Sequence, residues 1–411
     1  MSVLPSALRP SIFVLGFLLV LVGAPAAGGP AARVLALPEA TLLVEVEGRP
    51  VIARDAERAM IPASTMKLVT ALAAIERWGL DYRFTTELYV ADDQWLWVSA
   101  SGDPFLVSEE LDLLARSLAR AGVQRLAGIG IDDRLYAPDL HIPGRSGSDN
   151  PYDAPVTAFA VNFNTLHLRV AGGALASAEG QTPLTPLARE FGARLGPGTH
   201  RINLQTRELA LRYAGEVLAA KLAAAGIVVG PGQRIGALPR GAERVLSHRS
   251  SRDLRAVLGP MLEHSSNFIA NQLFLLLAGE PGGVGLDMAQ AQRAMTRWLE
   301  GRFGWRDFRV EDGAGLSRGN RLSARQLVEV LEAFAPYRAL LPVQPGNSAV
   351  QAKTGTLTGV STYAGYLRRD GGWAAFALLI NQPVDPALRR QVAEELARTA
   401  DLEIICAGGR C

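Results

Sequence analysis

The stretches of this chain that alternate apolar and polar side chains lie at its two ends, and that placement restricts the fold more than any other feature. Near the start, ATLLVEVEGRPVIARD (residues 40–55) alternates on both sides of a Gly-Arg-Pro turn, the period-two pattern of a β-hairpin. Near the end, VSTYAGYLRR and the largely apolar WAAFALLINQ read as two strands joined by an Asp-Gly-Gly turn. Between them the texture changes twice. Pro62 opens a helical stretch from about Ser64 to Arg77 that stops at Gly79, as a helix stop should. From Tyr82, short strands such as RFTTELYV, QWLWVSAS, LHLRV and RINLQT mix with the helical patterns SEELDLLARSLARAG and RYAGEVLAAKLAAAG. Helical patterning returns at residue 252 through DLRAVLGPMLEHSSNFIANQLFLLLAG, continues over about 286–301, and closes the chain in PALRRQVAEELART. This order predicts one antiparallel sheet built from both ends, flanked by helices and interrupted by an insertion. The fold class is α+β, with residues 28–81 and 250–411 in one domain and 82–249 inserted. A length of 411 residues suits that division better than a single small core.

The first residues have the three-part layout of a secretory signal peptide. MSVLPSALRP carries one positive charge, SIFVLGFLLVLVG is an uncharged apolar run, and APAAGGPAA supplies small residues for cleavage after Ala26 or Ala27. The apolar run is shorter than the ~20 residues that span a bilayer, which favours a cleaved segment over residues 1–27 rather than an anchor. Export exposes the two cysteines, Cys406 and Cys411, to an oxidising compartment, where they either pair or stay as free thiols. CxxxxC without a neighbouring histidine is a poor zinc site, and the five histidines show no ligand spacing, so neither metal nor other cofactor is expected. A formal charge of +2 and the lack of a basic run interleaved with aromatics exclude a dedicated nucleic-acid surface.

The chemistry is concentrated around lysine. Of 42 Lys and Arg residues only three are lysines: Lys67, Lys221 and Lys353. Lys67 follows Ser64 by three residues in PASTMKL, so a helix puts both on one face. A serine hydroxyl needs a base within hydrogen-bond reach, and a desolvated lysine can serve near neutral pH where arginine cannot. Taken alone, the pair also fits a surface lysine on a serine-capped helix. Lys353 opens Lys353-Thr354-Gly355 ahead of an apolar strand, where an ammonium and a hydroxyl can meet a substrate carboxylate and the glycine admits a close backbone. Two Ser-x-Asn triplets exist. Ser148-Asp149-Asn150 lies in the loop HIPGRSGSDNPYDAP, dense in Gly, Pro, Ser and Asp, whereas Ser265-Ser266-Asn267 stands at the entry to an apolar helix that can hold its side chains still. The second is the preferred catalytic candidate.

SxxK, SxN and KTG in that order form the signature of the active-site-serine penicillin-recognising enzymes. With PASTMKL, SGDPFL, YDAPVTAFAVN, HSSNFIAN, DGAGLSR and KTGTLTGVSTYAGY, the chain resembles the class C low-molecular-mass penicillin-binding proteins of the penicillin-binding protein 4 type, the S13 D-alanyl-D-alanine carboxypeptidase/endopeptidase family, from about residue 40 to 385. The resemblance implies a transpeptidase/β-lactamase-like domain and a large insertion between Ser64 and Ser265. It further implies an acyl-enzyme on Ser64, with neutral Lys67 as base, Ser265 relaying a proton to the leaving amine and Asn267 binding the substrate peptide. Lys353 and Thr354 would hold the terminal carboxylate, and the N–H groups of Ser64 and Thr356 would form the oxyanion hole. Arg318, in DGAGLSR, would border the substrate pocket. The implied partners are peptidoglycan stem peptides and β-lactams, and the implied location is the periplasm; oligomeric state stays open. Two departures bear on substrate preference: a shortened insertion, and Thr358 where related sequences often carry a longer polar side chain. A serine β-lactamase is the competing enzyme, though no Glu-x-x-x-Asn deacylation loop can be placed. A non-catalytic wall-binding protein is the other alternative.

Overall fold

The computed structural model describes residues 29–280, 283–369 and 372–398, together with the backbone of 405–406. The expected signal peptide, and any pairing of Cys406 with Cys411, lie outside the described residues.

Both chain ends share one sheet. Its seven strands run in the order Val343–Gln344, Asn347–Leu357, Val360–Arg369, Gly372–Ile380, Ala40–Val46, Arg49–Arg54 and Ile405–Cys406. Ala40 pairs with Ile380 and Glu45 with Ala375, which zips the N-terminal hairpin onto the C-terminal strands. Every pairing is antiparallel except the last, where Ile405–Cys406 runs parallel to Arg49–Arg54. The hairpin turn sits one residue earlier than its Gly-Arg-Pro pattern suggests. Glu47 and Gly48 take φ +51° and +72°, the two-residue left-handed turn that matches strand twist, and Arg49 and Pro50 are already in the strand.

Strict alternation divides the buried side chains between the two faces of the sheet. Leu42, Val44, Tyr363, Leu367, Phe376 and Leu378 pack under the helices Pro30–Leu35 and Leu388–Arg398. Leu43, Ala364, Tyr366, Ala375, Ala377 and Leu379 pack under Met66–Trp78 and Ala324–Phe334. The helical run from residue 254 is two helices, Leu254–Glu263 and Asn267–Leu276, and Ser265 at φ +57° makes the break.

Residues 85–249 build two further sheets. One has the strands Glu243–Arg249, Thr85–Val90, Trp95–Ser99, Arg125–Asp132 and Val228–Ile235; the other has Ala174–Ser177, Thr165–Ala171 and Gly198–Asn203. They share a separate core, with Leu88, Leu114, Ile129, Leu166 and Leu218 as members, closed by the helices Ser108–Arg120 and Arg207–Ala224. One part of this region does not stay with its own core. Tyr136, Ile142, Ala154, Val156, Ala158 and Ala160 pack into the same cluster as Met66 and Ile269, beneath the first sheet. Among the described residues no helix is long and apolar enough to cross a membrane.

Candidate active site

The chain enters the helix Met66–Trp78 through a 3₁₀ turn, Ala63–Thr65, in which Ala63 takes φ +46°. A side chain other than glycine adopts that conformation only when its surroundings enforce it. Here Thr65 and Thr362 both donate their hydroxyls to Pro62 O, at 2.6 and 2.8 Å. Two glycines press on the turn from either side. A Cβ on Gly315 would fall 1.8 Å from Ala63 O, and one on Gly355 would fall 2.8 Å from Ser64 N and 2.2 Å from Thr362 Oγ1. The room that Gly355 leaves is therefore filled by the chain's own Ser64 and Thr362. The turn holds Ser64 partly exposed over a buried Lys67.

Lys67 is fully buried, and its amine has three partners: Ser64 Oγ at 3.0 Å, Asn267 Oδ1 at 2.8 Å and Ala314 O at 2.8 Å. Burial, then the charge of Lys353, hold this amine well below the usual lysine range, and Asp312 pulls weakly the other way. Two of the three partners are carbonyl oxygens that can only accept. A neutral amine has two N–H groups for them and one lone pair, which is left facing Ser64. Ala314 O is aimed by Asp312, whose buried carboxylate accepts from the N–H groups of Ala314, Leu316 and Ser317 and from Asn320 Nδ2 at 2.7–3.0 Å. Asp312 escaped the sequence reading, although an Asp heading a Gly-Ala-Gly turn is the kind of residue that caps its own following N–H groups.

Lys353 and Gly355 fall on the Ser64 face of their strand, whereas Val350 and Ala352, with Thr354 and Thr356 in the same alternation, fall on the other. The only strand outside Asn347–Leu357 among those described is Val343–Gln344, which pairs with Gln351 and Asn347, so residues 353–357 form an open edge. Lys353 is buried and donates to Thr354 O at 2.8 Å. Burial, then Arg389, lower its pKa to about 8, so the ammonium persists at neutral pH. Exposed Arg318 donates to Thr358 O at 2.9 Å and ties the Asp312 turn to the turn after Lys353-Thr354-Gly355. Arg389 reaches the same strand from behind, and nothing local in the arginine-rich helix Leu388–Arg398 distinguished it.

Ser265, half-buried, lies in the left-handed link between two helices; Ser266 caps the second by accepting from Ile269 N at 3.3 Å; Asn267 opens it. The hydrogen bonds thus join Ser64, Lys67 and Asn267 in one network. The other triplet lies close by. Tyr152 O accepts from Asn267 Nδ2 at 3.4 Å, which brings the Gly/Pro loop against the site. A further groove of about 650 Å³, lined by Trp78, Tyr82, Leu135 and Leu276, contains none of these residues and sits at the far ends of the two helices that begin at Met66 and Asn267.

The chain is 27% identical to the D-alanyl-D-alanine carboxypeptidase of Actinomadura sp. (strain R39), over 92% of this chain and 83% of that one. Its fold is similar to the crystal structure of penicillin binding protein 4 from Haemophilus influenzae, with a TM-score of 0.71, 21% identity, and 88% and 96% of the two chains covered. It is also similar to a penicillin G-acylated predatory endopeptidase from Bdellovibrio bacteriovorus, in complex with an immunity protein, with a TM-score of 0.52, 16% identity, and 87% and 90% covered. The family model of the D-Ala-D-Ala carboxypeptidase 3 (S13) family matches residues 40–188 and 198–402, and the chain belongs to that family.

Proposed function

We propose that this chain is an exported serine DD-peptidase that cleaves the D-alanyl-D-alanine bond of peptidoglycan stem peptides through an acyl-enzyme on Ser64, and that β-lactams acylate the same hydroxyl. The observation that carries the reading is the set of partners around Lys67: two carbonyl acceptors and one serine, with burial against the charged form. In that setting the amine takes the Ser64 proton as Oγ bonds to the substrate carbonyl carbon. The N–H groups of Ser64 and Thr356 receive the developing oxyanion, as donors fixed before the reaction. The C–N bond then breaks, and the proton passes from Lys67 by way of Ser265 to the departing D-alanine amine. Water attacks the ester as Lys67 again accepts a proton, and when the Ser64 Oγ–C bond breaks Lys67 returns that proton to Oγ, leaving the amine neutral and the hydroxyl restored. Lys353, on the open edge, offers the terminal carboxylate its positive partner, whereas the alternation of the strand turns the Thr354 side chain expected beside it to the other face. Arg318 borders the pocket next to Thr358.

The active form therefore combines a neutral Lys67 with a charged Lys353. Acylation rises with pH as Lys67 loses its proton and falls again as Lys353 loses its own near pH 8. The relatives' names include both carboxypeptidase and endopeptidase, which supports either outcome on stem peptides. The leader-like residues 1–27 support export to the periplasm.

Fluorescent penicillin tests the reading directly. Wild type takes one covalent label that persists for minutes, and Ser64→Ala takes none. A label retained by Ser64→Ala would sink the assignment, and one that turns over within seconds would favour a β-lactamase. Purified muropeptides then separate the activities: release of D-alanine marks a carboxypeptidase, and splitting of cross-linked dimers an endopeptidase. Labelling without either would leave a penicillin-binding protein with another substrate.

A further inference from the structure

Three acceptors converge on Nη1 of Arg389. Gly355 O lies at 2.5 Å, Thr356 Oγ1 at 2.8 Å and, more weakly, Thr362 O at 3.4 Å. Gly355 and Thr362 are direct partners across two adjacent strands, so one guanidinium clips the open end of the Lys353 strand to its neighbour. On the opposite face the same two residues press against the nucleophile turn: Thr362 donates to Pro62 O, and a Cβ on Gly355 would sit 2.8 Å from Ser64 N. Displacement of this rung would shift both proposed oxyanion donors relative to each other. The edge beyond residue 353 has no covering strand among those described, so hydrogen bonding from outside does not hold it.

We propose that Arg389 is a positioning residue for acylation, fixing the Gly355–Thr356 segment against Ser64 from behind the sheet and placing a permanent positive charge near Lys353. The first part depends on geometry and the second on charge. Arginine serves both, because its long side chain brings Nη1 to the acceptors and its charge persists across the neutral range. The charged and titratable groups acting in this region are Arg390 and Tyr363 on Arg389, Arg389, Arg390 and Glu394 on Tyr363, Arg389 on Lys353, and Lys353 and Asp312 on Lys67. With burial as the larger cause, Arg389 contributes to holding Lys353 at about 8. Loss of the guanidinium charge therefore moves the alkaline limb of acylation to higher pH.

The inference rests on the acyl-enzyme reading, and the experiment separates the two. Second-order acylation by fluorescent penicillin is measured from pH 6 to 10 for wild type, Arg389→Lys and Arg389→Gln, with the folded fraction of each read by thermal unfolding. A wild type that takes no label fails the acyl-enzyme reading. Given a labelled wild type, Arg389→Lys should acylate about tenfold more slowly, the size of one lost hydrogen bond to a charged group, with its alkaline limb still near pH 8. Arg389→Gln should be at least as slow, with that limb moved upward. Wild-type rates in both variants, or an unmoved limb in Arg389→Gln, would overturn the proposal; the latter is what a mere staple for the C-terminal helix would give. If Arg389→Gln does not fold, Thr356→Val removes one acceptor and leaves the charge. It should be several-fold slower with an unmoved limb, and an unchanged rate would overturn the positioning role.

Discussion

Ser148-Asp149-Asn150 and Ser265-Ser266-Asn267 carry the same terminal side chains at the same spacing, and their segments meet where Asn267 Nδ2 donates to Tyr152 O. In the first, the serine and asparagine side chains both find partners within the loop. Ser148 Oγ donates to Asp153 Oδ2 at 2.7 Å and accepts from Asn150 Nδ2 at 3.1 Å, while Asn203 holds Ser148 O and Asn150 O from below. In the second, the local needs are met by Ser266 alone, which caps the helix. Asn267 is free to point its carbonyl at Lys67, and Ser265 is left in a left-handed link with no cap to serve. The spacing in sequence does not separate the two segments. What separates them is whether the surrounding loop or the surrounding helices absorb the hydrogen-bonding capacity.

The most severe test of this contrast removes each asparagine in turn. Asn267→Ala strips Lys67 of a buried acceptor and the substrate of a donor, and should lower penicillin acylation by about 100-fold or more. Asn150→Ala should change it by less than about threefold, since the Asn150 side chain donates to Ser148 Oγ and the Tyr152 hydroxyl within its own loop. Comparable losses from the two substitutions would mean that the loop contributes to acylation as much as the helix entry does.

The same contrast shows what could be read in advance. That Ser64, Lys67 and Asn267 would meet was legible from the three motifs taken in order, since Ser-x-x-Lys alone also fits a surface lysine. The sheet built from both ends was legible in its alternation. Ser265's role as a helix breaker was not, because Ser has no strong preference for positive φ and the apolar pattern runs on through it. Nor was the return of residues 136–160 to the first core, nor the reach of Arg389 to Gly355. Both are contacts between distant segments, and no local propensity encodes them. The parallel pairing of Ile405–Cys406 on the hairpin edge belongs to the same class.

The two serines should differ in the sign of their effect on stability. Ser265 sits at φ +57°, where a Cβ is strained by roughly 1 kcal/mol. Ser265→Gly should therefore leave the thermal midpoint unchanged or raise it slightly, the relief being offset in part by the freer unfolded chain. Hydrolysis should nevertheless fall at least tenfold, for want of the hydroxyl proposed to relay the proton. Ser148→Ala removes a hydrogen bond to a carboxylate, which contributes about 1–3 kcal/mol, so the midpoint should drop while acylation is nearly kept. A midpoint that falls in both variants would show that the left-handed link is also held by its side chain.

The smallest effect concerns pH. Burial raises the Asp153 pKa, but the hydroxyls of Ser146 and Ser148 and their N–H groups outweigh it and hold the carboxyl below its usual range. A carboxylate lowered on folding contributes stability that is complete above its unfolded value of about 4 and is lost as pH falls through the folded one. The Ser148 loop should accordingly loosen in acid. The Ser265 link, capped by the neutral Ser266, has no such dependence built in. Hydrogen exchange of peptides spanning residues 144–156 and 262–270, compared at pH 5 and pH 3 after correction for intrinsic rates, measures the difference, with strand Val360–Arg369 as an internal control for global opening. Protection should fall in the first peptide and hold in the second, and Asp153→Asn should make the first insensitive to pH. Equal loss in both peptides, with the control strand still protected, would show that the two segments open as one unit through the contact between Tyr152 O and Asn267 Nδ2, and that the loop is energetically part of the site it flanks.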